Sequence, residues 1–164
     1  MPNMVTKMTI AVACYALLLA AAPPTTQPFS QPATQPADKY DARADPVQQL
    51  AQAKLQAKVQ HKRVLMIVGR DSCRWTRALD ALLAQDTAIS KLVGQRYLLV
   101  RVHRSKDHDN ATFLAPYSKI GGVPHLLLFD ADGKLLVSQE TGSLEQGDGH
   151  DPSKVLAFLE RWGS

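Results

Sequence analysis

The run Asp71-Ser72-Cys73-Arg74-Trp75-Thr76-Arg77 holds the residues most able to do chemistry. A cysteine at the start of a helix ionises more readily than a free thiol, because unsatisfied N–H groups and the helix dipole favour the thiolate there. Arg74 and Arg77 act in the same direction. The chemistry on offer is nucleophilic attack on sulfur. The chain has two cysteines. Cys14 lies in an apolar N-terminal run, so Cys73 has no companion once that run is removed. A lone thiolate can open a disulfide and keep one half of it as a mixed disulfide, but resolving that adduct needs a second thiol. Thr76, one helical turn on, cannot supply it; its hydroxyl could hydrogen-bond the thiolate. The alternative role for Cys73 is a small buried core residue. A helix start facing the end of a sheet argues against that.

Positioning this cysteine takes a strand, a turn and a helix. Val64-Leu65-Met66-Ile67-Val68 is an unbroken apolar run, as expected of a central strand covered on both faces. Gly69 ends it. Asp71 or Ser72 is expected to cap the helix. Trp75, Ala78, Leu79, Leu82 and Leu83 then define an apolar face. Upstream, Asp45, Pro46 and Gln48 read as N-cap, N1 and capping box of a first helix whose stripe is Val47, Leu50, Ala51, Leu55 and Val59. Downstream, a short helix from Asp86 points Ile89, Leu92 and Val93 inward and stops at Gly94. Tyr97–Val102 is a strand, and 104–110 a charged loop. Ala111–Lys119 is a helix broken or kinked at Pro116. His125–Phe129 and Lys134–Ser138 form a hairpin around Ala131-Asp132-Gly133. A polar loop over 142–151 leads to a last helix from Pro152.

The order α-β-α(α)-β-α-β-β-α, the cysteine at a helix start, and the segment Ala115-Pro116 followed by Ile120-Gly121-Gly122-Val123-Pro124-His125 together resemble the thioredoxin superfamily. The resemblance spans residues 45–163. It implies an α/β thioredoxin fold, with a central mixed β-sheet flanked by helices on both faces. It also implies that Val123–Pro124 is cis and lies beside Cys73, where the backbone of Val123 receives an extended substrate. Trp75 would flank that groove; core packing is its other reading. Thr76 departs from the pattern, which has a second cysteine there. The anterior-gradient branch of the protein disulfide isomerases has a similar Cys-x-x-Ser. A buried acid six residues before the nucleophile is also missing, since Ile67 stands there.

Length and composition agree with one soluble domain plus tails: 164 residues, 45% apolar and 21% charged, with a net charge of +4. Such mild, scattered basicity does not indicate nucleic-acid binding. No Walker loop, GxGxxG or HExxH occurs, and no cofactor is called for. His103, Asp107, His108, Asp109 and His150 match no metal template, so no metal is expected. Asp130-x-Asp132-Gly133 imitates a calcium loop but has Thr141 where the bidentate Glu belongs, and it reads as a hairpin turn. Residues 1–22 read as a signal peptide or uncleaved anchor: Lys7, then an apolar run ending Ala20-x-Ala22. Residues 23–44, rich in Pro, Gln and Thr, read as a disordered linker contributing little to stability. The domain is then 45–164. Two functions follow. One is monothiol thiol-disulfide exchange on exported protein or peptide thiols and disulfides, with a small thiol as co-substrate, in the periplasm or outside the cell. The other is a non-catalytic module binding extended peptides.

Overall fold

The computed structural model describes residues 39–117 and 120–163. The expected leader and most of the expected linker lie outside them. Four strands form one sheet in the order β2-β1-β3-β4. The central β1 (Arg63–Gly69) pairs parallel with β2 (Tyr97–His103) and antiparallel with β3 (His125–Phe129), which pairs antiparallel with β4 (Leu135–Glu140). The apolar run 64–68 is 0% exposed throughout, as a strand covered on both faces requires. Leu65 and Ile67 face one core, with Leu126 and Leu128. Val64, Met66 and Val68 face the other, with Val100, Leu127 and Phe129. Helices α2 (Arg74–Gln85), α3 (Thr87–Arg96) and α5 (Pro152–Trp162) supply Leu79, Ile89 and Phe158 to the first core. Helix α1 (Pro46–Gln60) and the short α4 (Ala111–Leu114) supply Leu50, Ala57 and Leu114 to the second. Among the described residues, no helix is long and apolar enough to cross a membrane.

Several local expectations need correction. Asp45 does cap α1, its Oδ1 accepting from Val47 N at 2.9 Å, but the buried stripe is Pro46, Leu50, Ala53 and Ala57. Val47, Leu55 and Val59 are 60%, 67% and 81% exposed. Small alanines let the helix lie close on the sheet, and hydrophobicity alone cannot rank an inward Ala above an outward Leu. Helix α3 runs past Gly94 to Arg96. The α4 helix stops at Leu114 and tightens into a 3-10 turn, Ala115–Tyr117, because Pro116 cannot continue the hydrogen-bond ladder. Within the loop expected over 142–151, a second small sheet forms from β5 (Glu145–Gln146) and β6 (Gly149–His150).

The boundary expected at Asp45 falls too late. Tyr40 is 2% exposed and belongs to the first core. Its N–H donates to Asp71 Oδ2 at 3.0 Å, and its carbonyl accepts from His103 Nδ1 at 3.2 Å. The last residues of the expected linker are therefore part of the domain, because a large aromatic side chain among polar neighbours still finds apolar surface to cover.

Candidate functional site

Cys73 follows the C-terminal edge of β1. It is itself the N-cap of α2, with φ −85° and ψ 120°, and no side-chain hydrogen bond caps the helix. This corrects the expectation of an Asp71 or Ser72 cap, since the Asp71 carboxylate is taken by Tyr40 N. The sulfur thus stands where the oxygen of an N-cap serine would, facing the free N–H groups of the first turn. Cys73 is a free, half-buried thiol. Partial burial pushes its pKa up. The backbone N–H and hydroxyl of Thr76, the N–H of Trp75 and the charge of Arg70 outweigh that and hold it below the ordinary thiol range. The cations named from sequence are otherwise engaged. Arg74 pairs with Asp148 at 2.8 Å, and Arg77 donates to the Asp71 carbonyl at 2.8 Å.

Thr76 is 0% exposed. Its Oγ1 makes no hydrogen bond while Cys73 is a thiol, so an ionised sulfur is the acceptor that would satisfy it. Gly69 is needed for this packing. A Cβ there would lie 2.6 Å from Thr76 Cγ2 and 3.0 Å from Tyr40 Cε1.

Val123–Pro124 is cis. The thiol of Cys73 donates to the Val123 carbonyl at 3.5 Å, so two segments fifty residues apart meet at the sulfur. The Pro124 carbonyl accepts from the buried Thr141 Oγ1 at 2.8 Å, which ties this turn to the end of β4. Trp75 joins neither core. It is half-buried and meets His150 edge-to-face, with ring centroids 5.9 Å apart, while the Arg74 guanidinium lies 5.0 Å over its ring. The Arg74–Asp148 and Trp75–His150 contacts fasten the β5–β6 hairpin beside the start of α2.

Two features escaped the sequence. The first is a buried acid. Asp80, one turn beyond Thr76 on α2, is 3% exposed, and its Oδ1 accepts from Arg101 Nε and Nη2 at 3.0 and 2.9 Å. Arg101 lies opposite Ile67 in the β1–β2 register, and Asp80 meets it from α2. The Tyr40 phenol is held protonated by burial first and by the neighbouring Asp80 charge next. An aspartate within an amphipathic helix gives no sign in sequence that it points inward. The second is His150, 8% exposed with neither ring nitrogen bonded.

The remaining polar residues are placed as follows. His103 and His108 meet edge-to-face at 6.3 Å, and among the described residues no three His, Cys, Asp or Glu side chains converge as metal ligands. Asp130 Oδ1 accepts from the N–H groups of Asp132 and Lys134 at 3.0 and 2.9 Å, which commits that carboxylate to the hairpin turn.

Burial lowers the pKa of His125 and of His150, against the raising charges of Glu140 and Glu145; Arg104 lowers His125 further. The neutral imidazoles therefore favour folding. That contribution is complete above the unfolded value of 6.5 and is lost as pH falls through the depressed folded values. Thermal melts between about pH 7.5 and about pH 5 should show a falling midpoint, and His125→Gln/His150→Gln should flatten the fall. An unchanged slope in that double variant would rule out these histidines as the cause.

Solved structures similar to this chain share its fold. A disulphide isomerase from Xylella fastidiosa Temecula1 aligns with a TM-score of 0.63 at 22% identity, over 75% of this chain and 95% of that one. The C-terminal domain of Neisseria meningitidis DsbD in its oxidised form aligns at 0.52 and 15%, over 73% and 97%. A thioredoxin from Thermus thermophilus aligns at 0.50 and 16%, over 68% and 81%. No curated protein sequence matches the chain. The family of the thioredoxin-like domain matches residues 50–148, which take in β1, Cys73 at the head of α2, the cis-proline turn and the hairpin of β3 and β4, and the chain belongs to that family.

Proposed function

We propose that this protein carries out monothiol thiol-disulfide exchange through Cys73 on exported proteins or peptides. The Cys73 thiolate attacks one sulfur of a substrate disulfide. A new Sγ–S bond forms, the old S–S bond breaks, and the departing sulfur leaves as a thiolate that water protonates. An external thiol then attacks the mixed disulfide and restores Cys73. Among the described residues Cys73 is the only cysteine, and Thr76 occupies the position a resolving thiol would take. The reading suits isomerisation or adduct exchange rather than net oxidation or reduction of a dithiol pair. Val123 and Pro124 would receive the extended substrate by backbone pairing, with Trp75 on the flank. Export rests on the N-terminal apolar run, which suits a periplasmic or extracellular setting, with the membrane involved only if that run is retained as an anchor.

One observation carries the proposal: the Cys73 sulfur sits in the N-cap position beside the Thr76 and Trp75 N–H groups, 3.5 Å from the carbonyl that precedes the cis-proline. Alkylation of purified protein across pH tests it. The folded protein should reach its rate plateau at lower pH than the same chain in urea, because a depressed pKa keeps the thiolate populated until pH falls through it. Cys73→Ser should show no labelling at this site. A folded Cys73 that resists alkylation at every pH would favour the peptide-binding module without exchange chemistry.

A further inference from the structure

Next to the Val123 carbonyl that contacts Cys73 lies a cleft of about 400 Å³, lined by Arg70, Arg104, Ser105, Lys106 and Asp109 together with Gly121–Val123. Its charge is one-sided, three cations against one acid. Arg70 and Arg104 extend the C-terminal ends of the adjacent strands β1 and β2. The Arg70 carbonyl accepts from Cys73 N at 3.1 Å, and Arg104 N donates to the Gly69 carbonyl at 2.8 Å. Both arginines are half-buried. Among the described residues, neither they nor Lys106 have a carboxylate within ion-pair distance. Asp109, the one acid of the lining, forms no ion pair with them, and its Oδ1 accepts from Ala111 N at 2.9 Å. Partly desolvated guanidinium groups without a counter-charge are costly unless something anionic completes them. The cleft wall formed by Gly121–Val123 is the backbone along which an extended substrate would lie.

We infer that this cleft selects disulfides bearing carboxylates close to the reacting sulfur, on an acidic peptide segment or on a small acidic thiol. The inference rests on the exchange reading above. It names the substrate class that would reach Cys73: Arg70 and Arg104 hold a carboxylate as a fork, Lys106 closes the rim, and the disulfide is delivered to the sulfur across Val123. Electron balance is unchanged, since the incoming disulfide is itself the oxidant, and one Sγ–S bond replaces one S–S bond.

The test compares probes of opposite charge on the full chain, with mixed-disulfide formation followed by intact mass. Glutathione disulfide should modify Cys73 about tenfold faster than cystamine at low salt, with bis(2-hydroxyethyl) disulfide between them, and the gap should close at high salt. Arg104→Gln/Lys106→Gln should abolish the preference, while Lys91→Gln, on α3, should keep it. A disulfide-linked peptide with Glu on both sides of its cysteine should likewise outpace its Lys counterpart. If that acidic peptide also outpaces glutathione disulfide, the source is a protein segment; the reverse order assigns a small thiol, and either order supports the carboxylate requirement. Equal rates for anionic and cationic probes, or a preference that survives Arg104→Gln/Lys106→Gln, would overturn the cleft assignment and leave exchange standing. No modification by any disulfide would remove the exchange reading and the cleft assignment together.

Discussion

Thr76→Cys is expected to close an intramolecular disulfide with Cys73 under mild oxidant and to give the site dithiol chemistry. The positions are N-cap and N3 of α2, one turn apart, within the spacing a disulfide spans. The incoming thiol would lie in a fully buried site against Gly69 and Tyr40, one turn before Asp80, so burial would hold it protonated until the mixed disulfide forms. Resolution should then outpace release by millimolar external thiol by a factor on the order of 10³ or more, because an intramolecular thiol is already in place. Insulin reduction with a dithiol donor and a free-thiol count after oxidation provide the readouts. The wild type should give neither turnover by that route nor loss of its thiol without an added partner. Two free thiols persisting in Thr76→Cys under oxidant would show that the N-cap geometry described for Cys73 does not hold in solution.

Arg101→Met should sharply lower stability. It leaves the Asp80 carboxylate, with its side chain 4% exposed, without the guanidinium that both its short contacts reach. Breaking one half of a buried pair costs about 3–5 kcal/mol, most of it the penalty of the stranded charge. For a domain of this size that lowers the melting midpoint on the order of 10–20 °C. Asp80→Leu/Arg101→Met should recover most of the loss, because two apolar side chains leave no charge behind. Urea and thermal unfolding of wild type, the single and the double variant separate the cases. Equal destabilisation in the single and double variants would mean that packing, not the charge, is what Arg101 contributes.

The cysteine's place at a helix start, the strand before it and the proline turn fifty residues later were all legible in the sequence. Local signals specify the first two, five consecutive apolar residues and a glycine stop; the proline turn came from the resemblance that the Gly-Gly-Val-Pro-His segment carries. Asp45 as a cap and the hairpin turn at Ala131-Asp132-Gly133 were legible for the same reason, since a cap or turn is chosen within three or four residues.

What the tertiary structure decided was which side each residue takes. Helix α1 turned Leu55 and Val59 outward because Ala53 and Ala57 allow the closer approach to the sheet. Trp75 went to the β5–β6 hairpin and His150 rather than to a core. Tyr40, beyond the expected boundary, filled a gap above Gly69. Asp80 became a buried acid because Arg101, on a strand reached only through α3, met it there. Arg70, whose charge helps lower the thiol's pKa, is not one of the cations the sequence pointed to, and Arg74 and Arg77 engage other groups. Hydrophobic periodicity says that a helix has an inner face; which polar groups that face can carry depends on partners brought from distant parts of the chain, and those exist only once the sheet has assembled.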